Sequence, residues 1–299
     1  MKKKKEGIKH HFIPQFYLKY FTDNNGKYYF YNKKDGIYCK NPRTPKTSFF
    51  ERNRNTIFKF GIDHNAVEDF YCNFENGFAK CMRYILSIKN HTEIIEIKEI
   101  ISVLKYFIAF QFCRLPTNDD YFDNFILNYD YKKCRNLIVD SSGKNYFTNE
   151  RIEQYKNDNE FKKYFKSLML PYLLFNHLKQ DDDIAKWQIF DLEYSYPGFS
   201  FLCSDAPIIY ENINDLFLFN GNILLPLTKN KILIISKKSF LNKFDILFWE
   251  GINMVLYEQA NQYLSVINKK ELNIIINRYK IMEMLKMPSH NRENIFIFL

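Results

Sequence analysis

Six side chains in this sequence stand where local patterning gives them no reason to be: His10, His11, Glu75, Gln111, Arg114 and Asp205. Imidazole is the commonest metal ligand, and its ordinary pKa lies close to neutrality. Adjacent histidines rarely serve one ion together, because a strand points them to opposite faces and a helix splays them by about 100°. One of His10 and His11 is therefore the candidate ligand; the rival reading has both imidazoles holding the start of the fold by hydrogen bonds. Glu68 and Glu75, two turns apart on a helix, share a face about 10.5 Å from each other along the axis. Glu75 borders an apolar stripe next to Phe74 and Phe78, so its carboxylate needs a cation, a metal or a donor network. Glu68 reads more simply as a charge favoured by the helix N-terminus. Gln111 falls in the middle of the stripe made by Leu104 and Ile108, and Arg114 follows one turn on. Polar residues that break a buried stripe tend to mark functional or strained positions. A buried guanidinium cannot shed its proton and must find an anion: Glu75, Asp205 or a substrate phosphate. A plain Arg–Glu bridge between two helices satisfies the same demand. Asp205, in Ser204-Asp205-Ala206-Pro207, ends an apolar run inside a Pro-stiffened turn. Enzymes often place a metal ligand or base there, although an Asx-turn explains the residue equally well.

Together these residues describe a metal-assisted hydrolase acting on nucleic acid. His10 or His11, Glu75 and Asp205 would hold a divalent ion that activates water. Arg114 would neutralise the phosphate in flight, and Gln111 would orient it. The alternative is a non-catalytic module that binds a nucleotide or a partner chain with the same inward polar cluster. Ser204 lacks a nucleophile elbow, and there is no Walker A loop, GxGxxG, HExxH or EF-hand loop. Asp140-Ser-Ser-Gly-Lys144 reads as a polar turn.

The opening Lys9-His-His-Phe-Ile-Pro-Gln-Phe-Tyr-Leu-Lys-Tyr-Phe21 resembles the bacterial proteins grouped as domain of unknown function family 4238. Three later segments add to the likeness: Val67-Glu68 with Glu75, Gln111-x-x-Arg114-x-Pro116, and Phe201-x-x-Ser204-Asp205-x-Pro207. Leu225-Pro-Leu-Thr228 and Asn253 fit more loosely, so the likeness spans roughly residues 9 to 265. It implies a bacterial accessory protein, with host defence among the expected roles, and carries no reaction with it.

The elements that must position these residues fall into three zones of one expected α+β domain. In residues 8–60, Gly26–Tyr31 and Ile37–Lys40 flank a Gly-containing turn and predict a β-hairpin, with residues 41–50 extended or looped. Residues 63–180 predict helices. One is capped by Asp63 and carries Val67, Phe70, Phe74 and Phe78. Another runs from Thr92 to Arg114 and stops before Pro116. Two more cover about 118–138 and 148–179, with Pro171 kinking or restarting the last. In residues 186–299, strands are predicted over Trp187–Leu192, Phe199–Cys203, Leu216–Phe219 and Ile232–Ile235. Helical spacing returns over Gly251–Val266 and Lys270–Met287.

Composition bounds the answer. Hydrophobic content of 46% and aromatic content of 18% exclude a disordered chain. No apolar run approaches the roughly 20 residues of a membrane span. The Lys-rich start is followed by no signal-peptide core, since His10, His11, Gln15 and Lys19 interrupt it, and a cytoplasmic protein is expected. Six scattered cysteines without a CxxC pair predict free thiols rather than a zinc site. The net charge of +9 would favour nucleic acid as a partner, but only nine of the 43 basic residues are Arg, the side chain suited to bidentate phosphate contacts. The accompanying excess of Lys, Asn, Ile, Phe and Tyr follows AT-rich codons and explains part of that charge.

Overall fold

The computed structural model describes residues 8–58, 65–89, 92–131, 148–175, 185–240, 244–286 and 291–299. It is an α+β protein, with an N-terminal strand pair and hairpin, a helical middle and a mixed C-terminal part. The His-His segment is itself a strand, β1 (Lys9–His11), followed by the short helix α1 (Gln15–Leu18). The expected hairpin is present as β2 (Tyr29–Asn32) and β3 (Ile37–Tyr38), with Tyr31 opposite Tyr38. The stretch read as extended or looped ends in a strand, β4 (Phe50–Arg52), which pairs antiparallel with β1 and sets His10 opposite Glu51. Three-residue strands carry too little periodicity to be seen in a sequence; partner backbone defines them.

The long helices come next. Helix α2 (Ala66–Ser87) presents Val67, Tyr71, Phe78, Met82 and Ile85 inward, all buried. The predicted cap, Asp63, lies outside the described residues. The helix expected from Thr92 begins later: Thr92–Ile94 is strand β5, and α3 spans Lys98–Arg114. The β-branched residues Thr92 and Ile94 pair with the sheet instead of extending the helix. Helices α2 and α3 pack through aromatic rings, with Phe78 and Phe107 stacked at 3.9 Å between centroids. Helix α4 (Asp119–Asn128) is shorter than expected, and residues 132–147, including the Asp140–Lys144 turn, lie outside the described set. The second predicted helix is broken into α5 (Asn149–Lys156), α6 (Asn159–Tyr164), a π-helical segment Phe165–Met169, and α7 (Leu170–Leu174). Pro171 sits in the first turn of α7, so it restarts the helix where its missing N–H costs nothing.

Strands β6 (Lys186–Asp191), β7 (Cys203–Ser204) and β8 (Ile209–Tyr210) follow, then helix α8 (Ile213–Leu218). The strand expected at Leu216–Phe219 is thus helical. Asn212 caps its start by accepting from the Asn214 N–H, and Phe219 ends it in the left-handed region at φ 53°. Of Phe199–Cys203, only Cys203 joins a strand. Strands β9 (Ile223–Pro226) and β10 (Lys231–Ser236), helix α9 (Ile246–Gln259), strand β11 (Tyr263–Val266), and helices α10 (Lys269–Met284) and α11 (Asn291–Phe298) complete the order. The helix expected over Gly251–Val266 stops at Gln259, and its last part becomes β11. Among the described residues, two sheets result besides the β1–β4 pair: a five-stranded one in the order β5-β6-β10-β9-β8, and a four-stranded one in the order β3-β2-β11-β7. Lys231 and Asp191 face each other across β10 and β6 as a buried ion pair. Among the described residues, no single helix is long and apolar enough to cross a membrane.

Candidate functional site

Strand alternation sends the two imidazoles to different neighbours. His10 is wholly buried; its Nδ1 accepts from the Asn55 N–H at 2.8 Å, and its Nε2 stands 3.4 Å from the Thr56 hydroxyl. An Nδ1 that accepts a backbone N–H leaves the ring proton on Nε2. Glu68 Oε1 lies 3.9 Å from Nδ1. Burial lowers the His10 pKa below its ordinary 6.5, the Glu68 carboxylate opposes that shift, and Arg114 adds to it. His10 therefore spends both nitrogens inside the fold. His11 does not. Its ring packs on Phe50 at 5.7 Å, and its Nδ1 meets the Gln15 amide nitrogen at 3.3 Å. Its Nε2 is buried without completing a hydrogen bond, although the Lys46 and Pro45 carbonyls face the ring. Burial, then Arg114, lowers its pKa as well.

Helices α2 and α3 supply the facing wall. Arg114 donates to Glu75 Oε1 at 2.7 Å, and its guanidinium lies 4.3 Å over the Tyr71 ring. Burial alone would lower the Arg114 pKa, but Glu75 and its neighbours hold it above the ordinary value. Gln111 donates to the Phe12 carbonyl at 2.9 Å, which ties α3 to the residue after His11. Among the described residues, its Oε1 is buried with no partner, and so is Arg114 Nε. Gln111 and Arg114 are both buried, as the helix phase predicts. The His-His pair, Glu68, Glu75, Gln111 and Arg114 thus form one cluster, with Glu68 rather than Glu75 beside the imidazole.

Asp205 stands apart. Its carboxylate accepts from the N–H groups of Asn261, Gln262 and Tyr263 at 2.9, 2.7 and 2.8 Å, closing the turn between α9 and β11. Burial raises its pKa, and those bonds pull against the shift. No hydrogen bond or ion pair joins it to His10, His11, Glu75 or Arg114. Asn253 has a similar duty, holding residues 200–202 through the Leu202 N–H and the Ser200 carbonyl. Among the described residues, no group of three or more His, Cys, Asp and Glu side chains is arranged to hold a metal ion.

A further network lies behind the cluster, outside the residues that local patterning singles out. Arg54 grips Asp119 through two bonds, at 2.7 and 3.0 Å, and reaches Glu51 at 2.7 Å. Lys166, from the π-helical segment, donates to the same Asp119. Arg54 and Asn55 come from the polar run Arg52-Asn53-Arg54-Asn55, whose turn-forming residues were the available signal.

 

Fold and site together define an α+β protein whose N-terminal strand pair is clamped onto two antiparallel-packed helices by a buried cluster of imidazole, amide, carboxylate and guanidinium groups. Residues 9–264 match the family described as "Protein of unknown function (DUF4238)", and the chain belongs to that family. No curated protein and no solved structure matches it at a significant level.

Proposed function

We propose that the inward polar cluster is a binding site for the edge of a nucleotide base, without bond-breaking chemistry. The observation that carries this reading is that, among the described residues, Gln111 Oε1 and Arg114 Nε are buried without partners, and His11 Nε2 completes no hydrogen bond with the Lys46 and Pro45 carbonyls that face its ring. Buried polar atoms are nearly always satisfied, so such a group calls for an occupant. With the Gln15 amide donating to His11 Nδ1, Nε2 carries the proton, and the cluster offers two donors and one acceptor. A base edge presents the complementary set of carbonyl and N–H groups. Charge favours the base over the phosphate. Arg114 is already neutralised by Glu75, Glu68 adds a second carboxylate, and the imidazoles are neutral at pH 7, their pKa values being lowered.

Titration of the purified chain with the common nucleosides and their 5′-phosphates tests the proposal. Saturable binding of one nucleoside, as tight as its 5′-phosphate and lost in Gln111→Leu, is the expected result. No saturable binding of any nucleoside would sink it. The metal-assisted hydrolase is the rival. It requires Asp205 to release three backbone N–H groups or to be replaced as a ligand. Calorimetric titration with Mn²⁺ separates the two, since the base-binding reading expects no stoichiometric metal.

A further inference from the structure

Two of the segments that carry the family likeness run into a small cavity away from the imidazoles. The turn after Arg114-x-Pro116 forms one wall and the stretch after Ser204-Asp205 the other, enclosing about 210 Å³. Phe112, Leu115, Ile208 and Tyr210 give it apolar sides. Its polar groups are few. The Gln259 amide is engaged with the Ala206 and Ile208 carbonyls, whereas the Thr117 hydroxyl is buried without a partner among the described residues. Arg292, from the first turn of α11, is the one charged side chain lining it among the described residues. The Tyr210 carbonyl accepts from Arg292 Nε and Nη2, and the guanidinium lies 4.9 Å from the Tyr210 ring. Arg292 forms no ion pair with a carboxylate, and Nη1 makes no hydrogen bond within the described structure.

A guanidinium held in place, with one edge unspent and no counter-ion, lining the same cavity as a hydroxyl without a partner, is a receptor for an anion. The apolar sides add a demand for a hydrophobic body, and the volume is below that of sites for drug-sized ligands. We propose that this cavity binds a small organic carboxylate, its carboxylate on Arg292 and Thr117 and its apolar body against Phe112, Leu115, Ile208 and Tyr210. A single cation with one free edge suits a monoanion better than a phosphate dianion. The proposal is independent of the base-binding reading, since no side chain is shared between the two sites.

Sodium benzoate is a suitable probe, followed by calorimetry and by chemical shifts of the full chain. Binding should saturate, with the shift changes centred on Phe112, Thr117 and Tyr210. Arg292→Gln should weaken it by about tenfold or more, the usual weight of a charge-assisted hydrogen bond. Inorganic phosphate, which has the charge alone, and benzyl alcohol, which has the ring alone, should each bind more weakly than benzoate. Because Arg292 also anchors α11 to β8, Thr117→Leu serves as a second variant: it fills the cavity from the opposite wall and should abolish binding in a folded chain. Absence of saturable benzoate binding, shift changes elsewhere, phosphate binding as tight as benzoate, or full affinity in folded Thr117→Leu would each overturn the proposal. Base binding at the His11 cluster would survive any of these outcomes.

Discussion

Arg114 and Glu75 form an ion pair with unequal partners. The Arg114 side chain is 6% exposed, whereas that of Glu75 is 23% exposed and keeps access to water. Removing the carboxylate strands a buried cation, so Glu75→Leu should cost about 3–5 kcal/mol. Arg114→Met keeps most of the volume over Tyr71 and leaves a partly hydrated anion, so it should cost only about 1–2 kcal/mol. Equal losses in urea unfolding would mean that the pair is not buried asymmetrically. The imidazoles predict a pH dependence with a defined sign. Both have folded-state pKa values lowered below 6.5 by burial, so the unfolded chain binds more protons as the solution is acidified. Their stabilising contribution is full above the unfolded pKa of about 6.5 and is lost as pH falls from there through the folded values. Asp205 acts in the opposite sense. Its raised pKa makes ionisation unfavourable to the fold, an effect relieved by protonation between its folded value and the unfolded 3.8. Thermal midpoints should therefore be flat just above pH 6.5 and decline below it, and His10→Gln with His11→Gln should flatten that decline. An unchanged profile in the double variant would rule out the imidazoles as its source.

At the scale of elements, Asp205 decides where α9 ends and β11 begins. Helical spacing continues through Gly251–Val266, but the carboxylate takes the N–H groups of residues 261–263 that a continuing helix would turn inward. The chain then enters the sheet between β2 and β7. Asp205→Asn replaces one acceptor oxygen with a donor and should cost about 1–3 kcal/mol for each N–H left bare. The urea midpoint should fall with an unchanged slope. A loss of activity or binding without loss of stability would return Asp205 to the list of functional residues. The π-helical segment Phe165–Met169 is the other element with a consequence. It interrupts an otherwise helical run and presents Lys166 to Asp119, the anion that Arg54 also holds. Such segments recur at functional sites.

At the scale of the whole molecule, the charge of +9 and the buried guanidinium belong to different questions. Arg114 is buried against Glu75 and Tyr71, so its charge is already paired inside the fold and is not counted among those that would neutralise backbone phosphates. If the surface lysines bind nucleic acid, log affinity will fall linearly with log salt, by about one unit of slope for each phosphate neutralised. Arg114→Met should leave that slope unchanged. A slope reduced by a full unit would show that the guanidinium reaches solvent and that the ion pair opens.

The sequence by itself determined the α+β class, the hairpin, the inward faces of α2 and α3, and the burial of Gln111 and Arg114. These follow from local periodicity, which the chain carries in its own spacing of apolar residues. The joining of the His-His strand to Gln111, and so to the Arg114–Glu75 pair on the same helices, depended on α3 meeting the segment after β1, through a bond from Gln111 to the Phe12 carbonyl 99 residues away. The short strands β1, β5 and β11, and the assignment of Asp205 to a backbone turn, were likewise decided only in the tertiary structure. A two- to four-residue strand is defined by the hydrogen bonds of its neighbours, and a carboxylate's duty by whichever donors arrive beside it; neither is written in the spacing of nearby residues.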